Sequence, residues 1–314
     1  MNNLLEFPKQ QRLACEYAPI IHELLRVKGI HSSDFACYNL MGWYLERPPM
    51  VSRFGDQIIL DVEGPGGTHL YLPPLGHGSP LPAIQAILRH QAKFGGELSI
   101  GYVPEALLAQ IKDDPALDRV EEQRDEFDYL YDRHELAELA GRKFHQKKNF
   151  VNRVQQSHNP QVEPLTPDNL CQVMTYLDAW YAEHAAHAAV DLSTRLESLA
   201  AGRALPNLGH LGGIGLVVRI AGTIEGVTVA SPVHDGCWIV TLEKANREIK
   251  GLYQFINWSL ANHLPDNVKL INRETDLGIE GLRSAKLSYH PVGFEKKYRL
   301  YFSETFLRNE CSAI

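Results

Sequence analysis

Apolar residues recur along the chain with two spacings, and the alternation of the two predicts an α+β protein. Apolar positions three and four residues apart predict helices, whereas short apolar runs between turn residues predict strands. In the first half, helices are predicted near residues 10–28, 82–94 and 105–111. Strands are predicted near residues 50–54, 58–62, 68–72, 98–103 and 127–131. Turn residues at 63–67 predict that 58–62 and 68–72 form a hairpin.

The second half repeats an α+β order of elements. Helices are predicted near residues 168–183, 193–201, 250–260 and 280–287. Strands are predicted near residues 215–220, 224–230, 238–242, 268–271 and 297–302. This order describes a mostly antiparallel sheet with one helical crossover between parallel strands, which is the arrangement of GNAT-type N-acyltransferases. A fold does not by itself fix the chemistry, so the site has to be argued from its residues.

A basic segment lies between the two halves. Residues 142–156 contain no acidic residue, and polar residues recur at helical spacing at Arg142, Gln146, Asn149 and Arg153. Lys143 and Lys147 stand four residues apart and repel each other on a helix. We predict a basic connector helix whose cations hold an anionic donor, these being Arg142, Lys143, Lys147, Lys148 and Arg153. The alternative is a solvated connector, since charged runs are usually exposed helix faces.

The composition argues against several classes of protein. The 314 residues carry a formal net charge of -7, so an anionic partner needs a local basic patch, and DNA is not expected. The five cysteines form no C-x-x-C pair, which disfavours a disulfide framework and a thiolate zinc site and favours a reducing cytoplasm. No apolar run approaches the roughly 20 residues that span a bilayer. We expect a cytoplasmic protein without a transmembrane segment and leave peripheral contact with a membrane open.

Charged and aromatic residues concentrate between residues 270 and 291, directly after a predicted strand. A plain core segment would not place Arg, Glu, Asp, Lys, Tyr and His at one strand-to-helix turn, because each is costly to bury without a partner. This segment is therefore the best candidate for a functional site.

Four segments resemble the phosphatidylglycerol lysyltransferase C-terminal domain family: residues 34–43, 129–153, 242–254 and 272–291. The resemblance implies tandem GNAT-like domains, each a mixed, mostly antiparallel sheet flanked by helices, that move an aminoacyl group from aminoacyl-tRNA to a lipid headgroup. It implies an N-terminal GNAT-like domain at 1–140, a basic connector helix at 141–160 and a C-terminal catalytic domain at 161–314. Lipid-modifying members carry this part behind a large transmembrane region that is not seen in this sequence. We therefore expect a soluble, stand-alone member whose acceptor can differ.

Transfer of an aminoacyl group from an ester needs a base for the nucleophile's proton, a donor to the developing oxyanion and cations for the donor's phosphates. We predict Glu243, which ends a strand, as the base or as the group that orients the acceptor amine. Its alternative is a salt bridge to Lys244 or to the basic helix. Asn246, Lys250 and Gly251 precede a helix whose first N–H groups can hold a phosphate. The alternative there is ordinary helix capping by Asn246.

The segment after the next strand supplies the remaining candidates. We predict that Tyr289 protonates the leaving ribose hydroxyl and that Arg273 or Lys286 neutralises the oxyanion or a phosphate. The residues predicted to contact the substrate beside them are Asn272, Glu274 and Asp276. The alternative is a buried ion-pair network that joins strand and helix, because such networks perturb pKa values as active sites do.

Two further motifs do not predict a site. His184 and His187 stand three residues apart on a predicted helix, with Glu183 beside them. A zinc site needs further ligands of suitable type, and the spacing marks no third one, so we predict no metal. The glycine-rich run at 209–215 leads into a strand, whereas a dinucleotide-binding loop leads into a helix.

Together these patterns predict an acyltransferase that moves an aminoacyl group from aminoacyl-tRNA to an amine or hydroxyl acceptor, either a lipid headgroup or a small molecule. tRNA is the predicted partner, and no cofactor is required. The first alternative is an acyl-CoA-dependent N-acetyltransferase, whose pyrophosphate loop usually has more glycines than the one glycine of residues 246–251. The second alternative is a non-catalytic protein that binds tRNA or another anionic ligand.

Overall fold

A computed structural model describes residues 3–44, 47–63, 69–95, 97–187 and 192–304, without the side chains of residues 184–194. Its helices are α1 (Ala18–Lys28), α2 (Cys37–Gly42), α3 (Leu81–Ala92), α4 (Glu105–Ile111), α5 (Arg133–Glu138), α6 (His145–His158), α7 (Pro167–His187), α8 (Leu192–Ala204), α9 (Leu252–His263) and α10 (Glu280–Leu287). Its strands are β1 (Gln11–Arg12), β2 (Met50–Phe54), β3 (Gln57–Glu63), β4 (His69–Tyr71), β5 (Leu75–Gly76), β6 (Ser99–Pro104), β7 (Leu117–Glu122), β8 (Asp128–Asp132), β9 (Gln161–Pro164), β10 (Ile214–Ile220), β11 (Thr223–His234), β12 (Cys237–Ala245), β13 (Leu270–Asn272), β14 (Gly293–Glu295) and β15 (Lys297–Phe302).

The central sheet has seven strands in the order β14-β8-β13-β12-β11-β10-β9. β12 and β13 are parallel, and the other neighbouring pairs are antiparallel. Because α9 lies between β12 and β13 in the chain, the predicted helical crossover is present. A second sheet contains β1 to β5, and a third has the order β6-β15-β7. The predicted α+β class, with mixed and mostly antiparallel sheets flanked by helices, is confirmed.

Each face of the central sheet carries its own core, because successive residues of a strand point to opposite faces. Val217 on β10 packs into the core that includes residues of α1, α2 and α3. Its neighbours Leu216 and Val218 pack into the core on the other face, with residues of α5, α6 and α9. The helix α9 therefore separates the sheet from solvent on the face that carries the candidate site.

Strands are exchanged between the two halves of the chain. β8 belongs to the first half but pairs with β13 and β14 of the second. Conversely, β15 is the middle strand between β6 and β7. The last predicted strand thus completes a sheet of the first half rather than one of the second. The domain boundaries near residues 140 and 160 stay a prediction. The pairings of β8 and β15 connect the two predicted domains, 1–140 and 161–314.

A buried cluster of charges lies where the exchanged strands begin. Lys297, the first residue of β15, is fully buried, and its Nζ is 2.7 Å from Asp34 Oδ2 and 3.0 Å from Asp128 Oδ1. Asp128, the first residue of β8, also accepts hydrogen bonds from the backbone N–H of Ser33 (2.6 Å) and from Asn272 Nδ2 (2.9 Å). The arrangement satisfies the rule that a buried charge needs both a counter-charge and hydrogen-bond partners.

Differences between the predicted and observed elements have local causes. α1 begins at Ala18 rather than near residue 10, because residues 11–12 pair with β2 and a 3-10 turn precedes Pro19. The apolar pattern misses β7 and β9, which are edge strands without a buried run. β3 and β4 form the predicted hairpin, although its turn at 64–68 lies outside the described residues. No helix in the described ranges is both long and apolar enough to cross a bilayer.

Candidate active site

The candidate site lies where the two parallel central strands separate. β12 and β13 pair only from Cys237–Leu270 to Ile239–Asn272. β12 then continues to Ala245, whereas the chain after β13 stays with β8, since the backbone N–H of Arg273 donates to the carbonyl of Tyr129 at 3.0 Å. Side chains rather than a paired strand therefore occupy the widening gap beside the end of β12.

Glu243 and Arg273 meet across this gap. Arg273 Nη2 lies 2.5 Å from Glu243 Oε2, and Asn257 Nδ2 on α9 donates to Glu243 Oε1 at 3.2 Å. The two charged side chains are 14% and 16% exposed, so the pair is shielded but not sealed from solvent. The salt bridge that the sequence leaves as an alternative for Glu243 is thus made to Arg273. Lys244, the partner considered there, pairs with Glu197 at 2.7 Å.

Two tyrosines and a lysine from the basic helix surround Arg273. Its guanidinium carbon is 4.8 Å from the ring centre of Tyr289 and 5.8 Å from that of Tyr131. Lys147 Nζ is 4.1 Å from the Tyr289 ring centre. The Tyr289 ring therefore contacts two cations, Arg273 and Lys147. Burial raises the pKa of Tyr289 to about 12, against the opposing charge of Arg273, and the phenol stays protonated at neutral pH. Burial lowers the pKa of Lys147.

Lys286 holds the backbone that positions Arg273. Its Nζ donates to the carbonyl of Arg273 and to that of Glu274 at 3.2 Å. Burial lowers the pKa of Lys286, and the charge of Arg273 acts in the same direction. Burial raises the pKa of Glu274, opposed by a 2.8 Å hydrogen bond from Asn39 Nδ2. For both groups, burial disfavours the charged form.

Two of the predicted substrate contacts belong to other networks. Asn272 Nδ2 donates to the carbonyl of His31 at 2.6 Å and to Asp128, so it is part of the buried cluster around Lys297. Asp276 is fully buried and accepts hydrogen bonds of 2.8 Å from Arg283 Nε and Nη2 and of 2.5 Å from Tyr129 Oη. At Asp276 the alternative of an ion-pair network is the one that the contacts favour.

We expect Asp276→Asn to destabilise the fold at neutral pH and to lose that effect in acid. Hydrogen bonds from Arg283, opposed by burial, hold the pKa of Asp276 well below its usual range. A lowered pKa stabilises the fold above the unfolded-state value of about 4, and this stabilisation is lost as the pH falls through the folded-state value. Urea unfolding of both proteins from neutral pH to about pH 3 measures the first part of this loss, so the difference between them should be smaller at pH 3 than at neutral pH. Asp266→Asn, at an exposed carboxylate 3.5 Å from Arg133, is the control and should show little effect. A difference that does not change with pH would contradict the argument.

The loop before α9 brings its predicted residues to another place. Asn246 Nδ2 donates to Glu225 Oε2 at 2.8 Å, and Asn246 Oδ1 accepts from the backbone N–H of Glu248 rather than from α9. Asn246 lines a cleft of about 480 Å³ whose other lining residues include Glu183, Glu225 and Glu248. Arg247 lines it as well, so the three carboxylates leave the cleft with a net negative charge, which disfavours a phosphate there. The ligand role of Asn246, Lys250 and Gly251 stays a prediction.

The fold alone explains why position 251 is a glycine, without any ligand. It is the N-cap of α9 with φ of +102°, in the region that side chains rarely adopt. A Cβ at this position would lie 3.0 Å from the carbonyl oxygen of Phe150 on α6. Glycine thus permits the close approach of α6 to the start of α9.

The basic connector predicted at 142–156 is present as a 3-10 turn at Arg142–Phe144 followed by α6. Its cations are not equivalent. Lys143 Nζ pairs with Glu135 at 2.7 Å, whereas Lys147 Nζ donates to Ser288 Oγ at 2.8 Å and enters the site. Arg142 and Lys148 line an open cavity of about 600 Å³. Arg153 is exposed on the last turns of the helix.

The structure thus brings together Glu243, Arg273, Tyr289 and Lys286, and adds Lys147 from the basic helix. Tyr131 and Asn257 also contact the cluster and are not among the residues predicted from the sequence. Asn257 carries a signal that could have found it, since it is a buried polar residue within the apolar face of α9. Tyr131 carries no such signal, because an aromatic residue in a buried strand is ordinary.

A second group of chemically active side chains lies away from this site. His31, His234 and Cys237 place three possible metal-ligand atoms within 4.8 Å of one another. The backbone N–H of Gly236 donates to His234 Nδ1 at 3.2 Å, so in the neutral ring the proton is on Nε2. That proton points to His31 Nδ1 at 2.9 Å, and the pair is explained as a hydrogen bond between rings. The side chains of His184 and His187 lie outside the described part of the chain.

Comparison with known proteins gives a consistent set of similarities. The family model described as phosphatidylglycerol lysyltransferase, C-terminal, matches residues 31–301. A conserved protein of unknown function from Bacteroides thetaiotaomicron is 28% identical, with 94% of this chain and 99% of that chain covered and a TM-score of 0.87. The C-terminal domain (DUF2156) of a putative lysylphosphatidylglycerol synthetase from Agrobacterium fabrum is 17% identical, with 92% and 93% covered and a TM-score of 0.62. L-PGS from Bacillus licheniformis is 14% identical, with 91% and 92% covered and a TM-score of 0.61. No curated protein matches the chain.

Proposed function

The chain belongs to the family of the phosphatidylglycerol lysyltransferase C-terminal domain, and from this premise we propose that it is an acyltransferase that moves an aminoacyl group from aminoacyl-tRNA to an amine or hydroxyl acceptor. The observation that carries the proposal is the cluster of Glu243, Arg273 and Tyr289 at the separation of β12 and β13. It combines a carboxylate, a fixed cation and a protonated phenol in a shielded gap. These are the groups that acyl transfer from an ester requires.

In the proposed reaction, Glu243 accepts the proton of the acceptor's amine or hydroxyl group. The acceptor atom then forms a bond to the ester carbonyl carbon, and Arg273 stabilises the negative charge that develops on the carbonyl oxygen. The bond between the carbonyl carbon and the ribose oxygen breaks, and Tyr289 gives its proton to that oxygen. Because burial raises the pKa of Tyr289 to about 12, the phenol carries the proton that this step uses. Proton return from Glu243 to Tyr289 restores the starting state.

The distribution of charged side chains near the site favours one class of donor substrate. Lys147 lies against Tyr289, and the exposed Lys148 and Arg153 on the same helix, with Arg142 on the turn before it, continue the positive charge. By contrast, the cleft beside the loop at 246–251 is lined by three carboxylates and one arginine, a net negative charge that repels the pyrophosphate of CoA. This distribution supports a tRNA donor over acyl-CoA. A lipid headgroup and a small molecule remain the two acceptor classes of the proposal.

Binding of labelled total tRNA at low and moderate salt, with acetyl-CoA as competitor, tests the donor. We expect salt-dependent binding that acetyl-CoA does not displace, since phosphate contacts release counterions. The variant Arg142→Glu/Lys148→Glu/Arg153→Glu should weaken binding and lower the salt slope by about one per cation removed. It spares Lys143, which Glu135 already pairs, and Lys147, which belongs to the site.

The matched control reverses three exposed cations on other parts of the chain, in Lys9→Glu/Lys93→Glu/Lys112→Glu. It changes the net charge by the same amount, so a loss in both variants would indicate only a general electrostatic effect. Displacement of tRNA by acetyl-CoA, or the absence of tRNA binding, would transfer the proposal to an acyl-CoA enzyme. Turnover of charged tRNA, assayed next, distinguishes an enzyme from a protein that only binds tRNA.

A further inference from the structure

Three possible metal ligands meet where the first half of the chain contacts the β11–β12 hairpin. His234 ends β11 and Cys237 begins β12, and the two residues are partners in the register of the hairpin. They form an H-x-x-C motif, and a separation by two residues is common between paired ligands of structural zinc sites. His31, from the segment after α1, places its Nδ1 2.9 Å from His234 Nε2. The hairpin therefore fixes two ligands, and the first half of the chain supplies the third.

The three ligand atoms are close enough to share one ion. One ring nitrogen of each histidine and Cys237 Sγ lie within 4.8 Å of one another. Around a tetrahedral zinc ion with bonds of about 2.0–2.3 Å, ligand atoms are roughly 3.3–3.8 Å apart, so changes of about 1 Å in these separations complete the geometry. Imidazole nitrogen and thiolate sulfur are donors that suit zinc. The hydrogen bond between the two rings is then the metal-free form of this group.

A buried dication needs negative charge beside it, and two groups supply that charge. One is Cys237, which binds a metal as the thiolate after its proton leaves to solvent. The other is Glu295, which is 6% exposed and whose Oε2 accepts from the backbone N–H of His31 at 2.8 Å. Burial raises the pKa of Glu295 to about 8, and a dication bound nearby favours the ionised carboxylate. Lys297, the buried cation of this region, is already neutralised by two aspartates.

The ring of His234 has an acceptor for its other nitrogen. When Nε2 binds a metal, the proton of the neutral ring is on Nδ1. Asp235 Oδ1 is 3.7 Å from Nδ1 and accepts that proton, in place of the present bond from the backbone of Gly236. Such a carboxylate commonly orients a metal-binding histidine. Asp235 also lines a cavity of about 370 Å³ with His22 and Trp238, which gives an ion a path to the hairpin.

We propose that His31, His234 and Cys237 bind one zinc ion that joins the two halves of the chain. Cys237 and Glu243 stand at opposite ends of β12, about 20 Å apart along the strand, so the ion lies outside the site for acyl transfer. His31 and His234 are 203 positions apart, and a metal that closes so long a loop stabilises the folded chain. The ion therefore acts on stability rather than on the reaction.

Cobalt titration tests the site, because Co²⁺ accepts the same ligands as Zn²⁺ and its bond to a thiolate absorbs in the near ultraviolet. The full chain, treated with a chelator and kept reduced, should develop this absorption and saturate at one Co²⁺ per chain, and Zn²⁺ should abolish the signal. Cys237→Ser should not develop it. Cys37→Ser is the matched control, since it removes another buried free thiol, on α2, and should behave as wild type does.

A second variant tests the ligand from the first half of the chain. His31→Gln leaves the hairpin intact and should weaken Co²⁺ binding by about tenfold or more, since even residues that only orient a ligand contribute that much. His90→Gln, at an imidazole that packs against Phe7 and Tyr71, is its control and should bind as wild type does. Zn²⁺ should raise the melting temperature of wild type and of both controls, and should not raise that of Cys237→Ser.

Three results would overturn the proposal. These are no thiolate absorption in wild type, the same absorption in Cys237→Ser, and equal Co²⁺ affinity in wild type and His31→Gln. If Cys237→Ser does not fold, the comparison of wild type with His31→Gln decides. The titration needs neither donor nor acceptor, so its failure is separate from a failure of the proposed aminoacyl transfer.

Discussion

Replacing Glu243 with glutamine is expected to lower the rate of acyl transfer by about 10²- to 10⁴-fold, which is the usual contribution of a positioned general base. Glutamine has nearly the same size but keeps only one of the two oxygens, so it can accept from Arg273 Nη2 or from Asn257 Nδ2 but not from both as the carboxylate does. It cannot take a proton from the acceptor. The measurement is single-turnover transfer from charged tRNA, with the identified acceptor, normalised to the folded fraction.

The substitution also removes the counter-charge of Arg273, so stability has to be measured beside activity. A lower melting temperature is expected, because a shielded cation loses its partner. Glu225→Gln is the matched control, since Glu225 is a carboxylate on the neighbouring strand that binds Asn246 rather than Arg273. Near-normal transfer by a folded Glu243→Gln variant would reduce Glu243 to an ion-pair partner. Tyr289→Phe then asks separately whether the phenol supplies a proton.

Replacing Lys297 with methionine is expected to destabilise the protein by about 3–5 kcal/mol, the cost of removing one member of a buried ion pair. Methionine fills a similar volume but leaves the buried Asp128 carboxylate without its cation, while Asp34 loses its 2.7 Å partner. The bonds from Ser33 and Asn272 to Asp128 remain and do not supply a full charge. Urea unfolding at neutral pH gives the free-energy difference.

Two further variants make this result specific. Lys296→Met removes the adjacent lysine, whose side chain is 42% exposed and pairs with Glu105 at 3.1 Å, and should change the free energy of unfolding far less than Lys297→Met does. Lys297→Met/Asp128→Asn removes both buried charges and should recover part of the lost stability. Equal effects of Lys296→Met and Lys297→Met would argue that burial of the charge is not the cause.

Elements defined by their own residues were predictable from the sequence. The ranges of α4 and β15 agree with the apolar pattern, because each buries one regular face. The edge strand β7 was not predictable, since five of its six residues are exposed and its pairing depends on β15, far along the chain. The family and the fold class were confirmed, whereas the donor, the acceptor and the roles of the site residues stay proposals.

The contacts of the candidate site, too, were predictable from the sequence only in part. Glu243 and Arg273 could be expected to lie close together, because they stand near the carboxyl ends of neighbouring parallel strands on either side of a crossover helix. Lys147 reaches the Tyr289 ring from a helix more than a hundred residues earlier in the chain, and no periodicity encodes that contact. In the sequence, nothing distinguishes Asp276 from the other predicted site residues near it. In the structure, Asp276 lies on the loop after β13 and accepts hydrogen bonds from Arg283 and Tyr129.

The exchanged strand β15 has a consequence for biosynthesis. In the three-stranded sheet it lies between β6 and β7, so these two strands have no partner in that sheet until residues 297–302 have been made. A ribosome that has made the first half therefore carries two open strand edges, which are templates for wrong pairing. The pairing of β15 with β6 and β7 joins residues almost two hundred positions apart. This step is slow because closing so long a loop costs conformational entropy. Nascent chains of this protein thus carry those edges unpaired until residues 297–302 have been made.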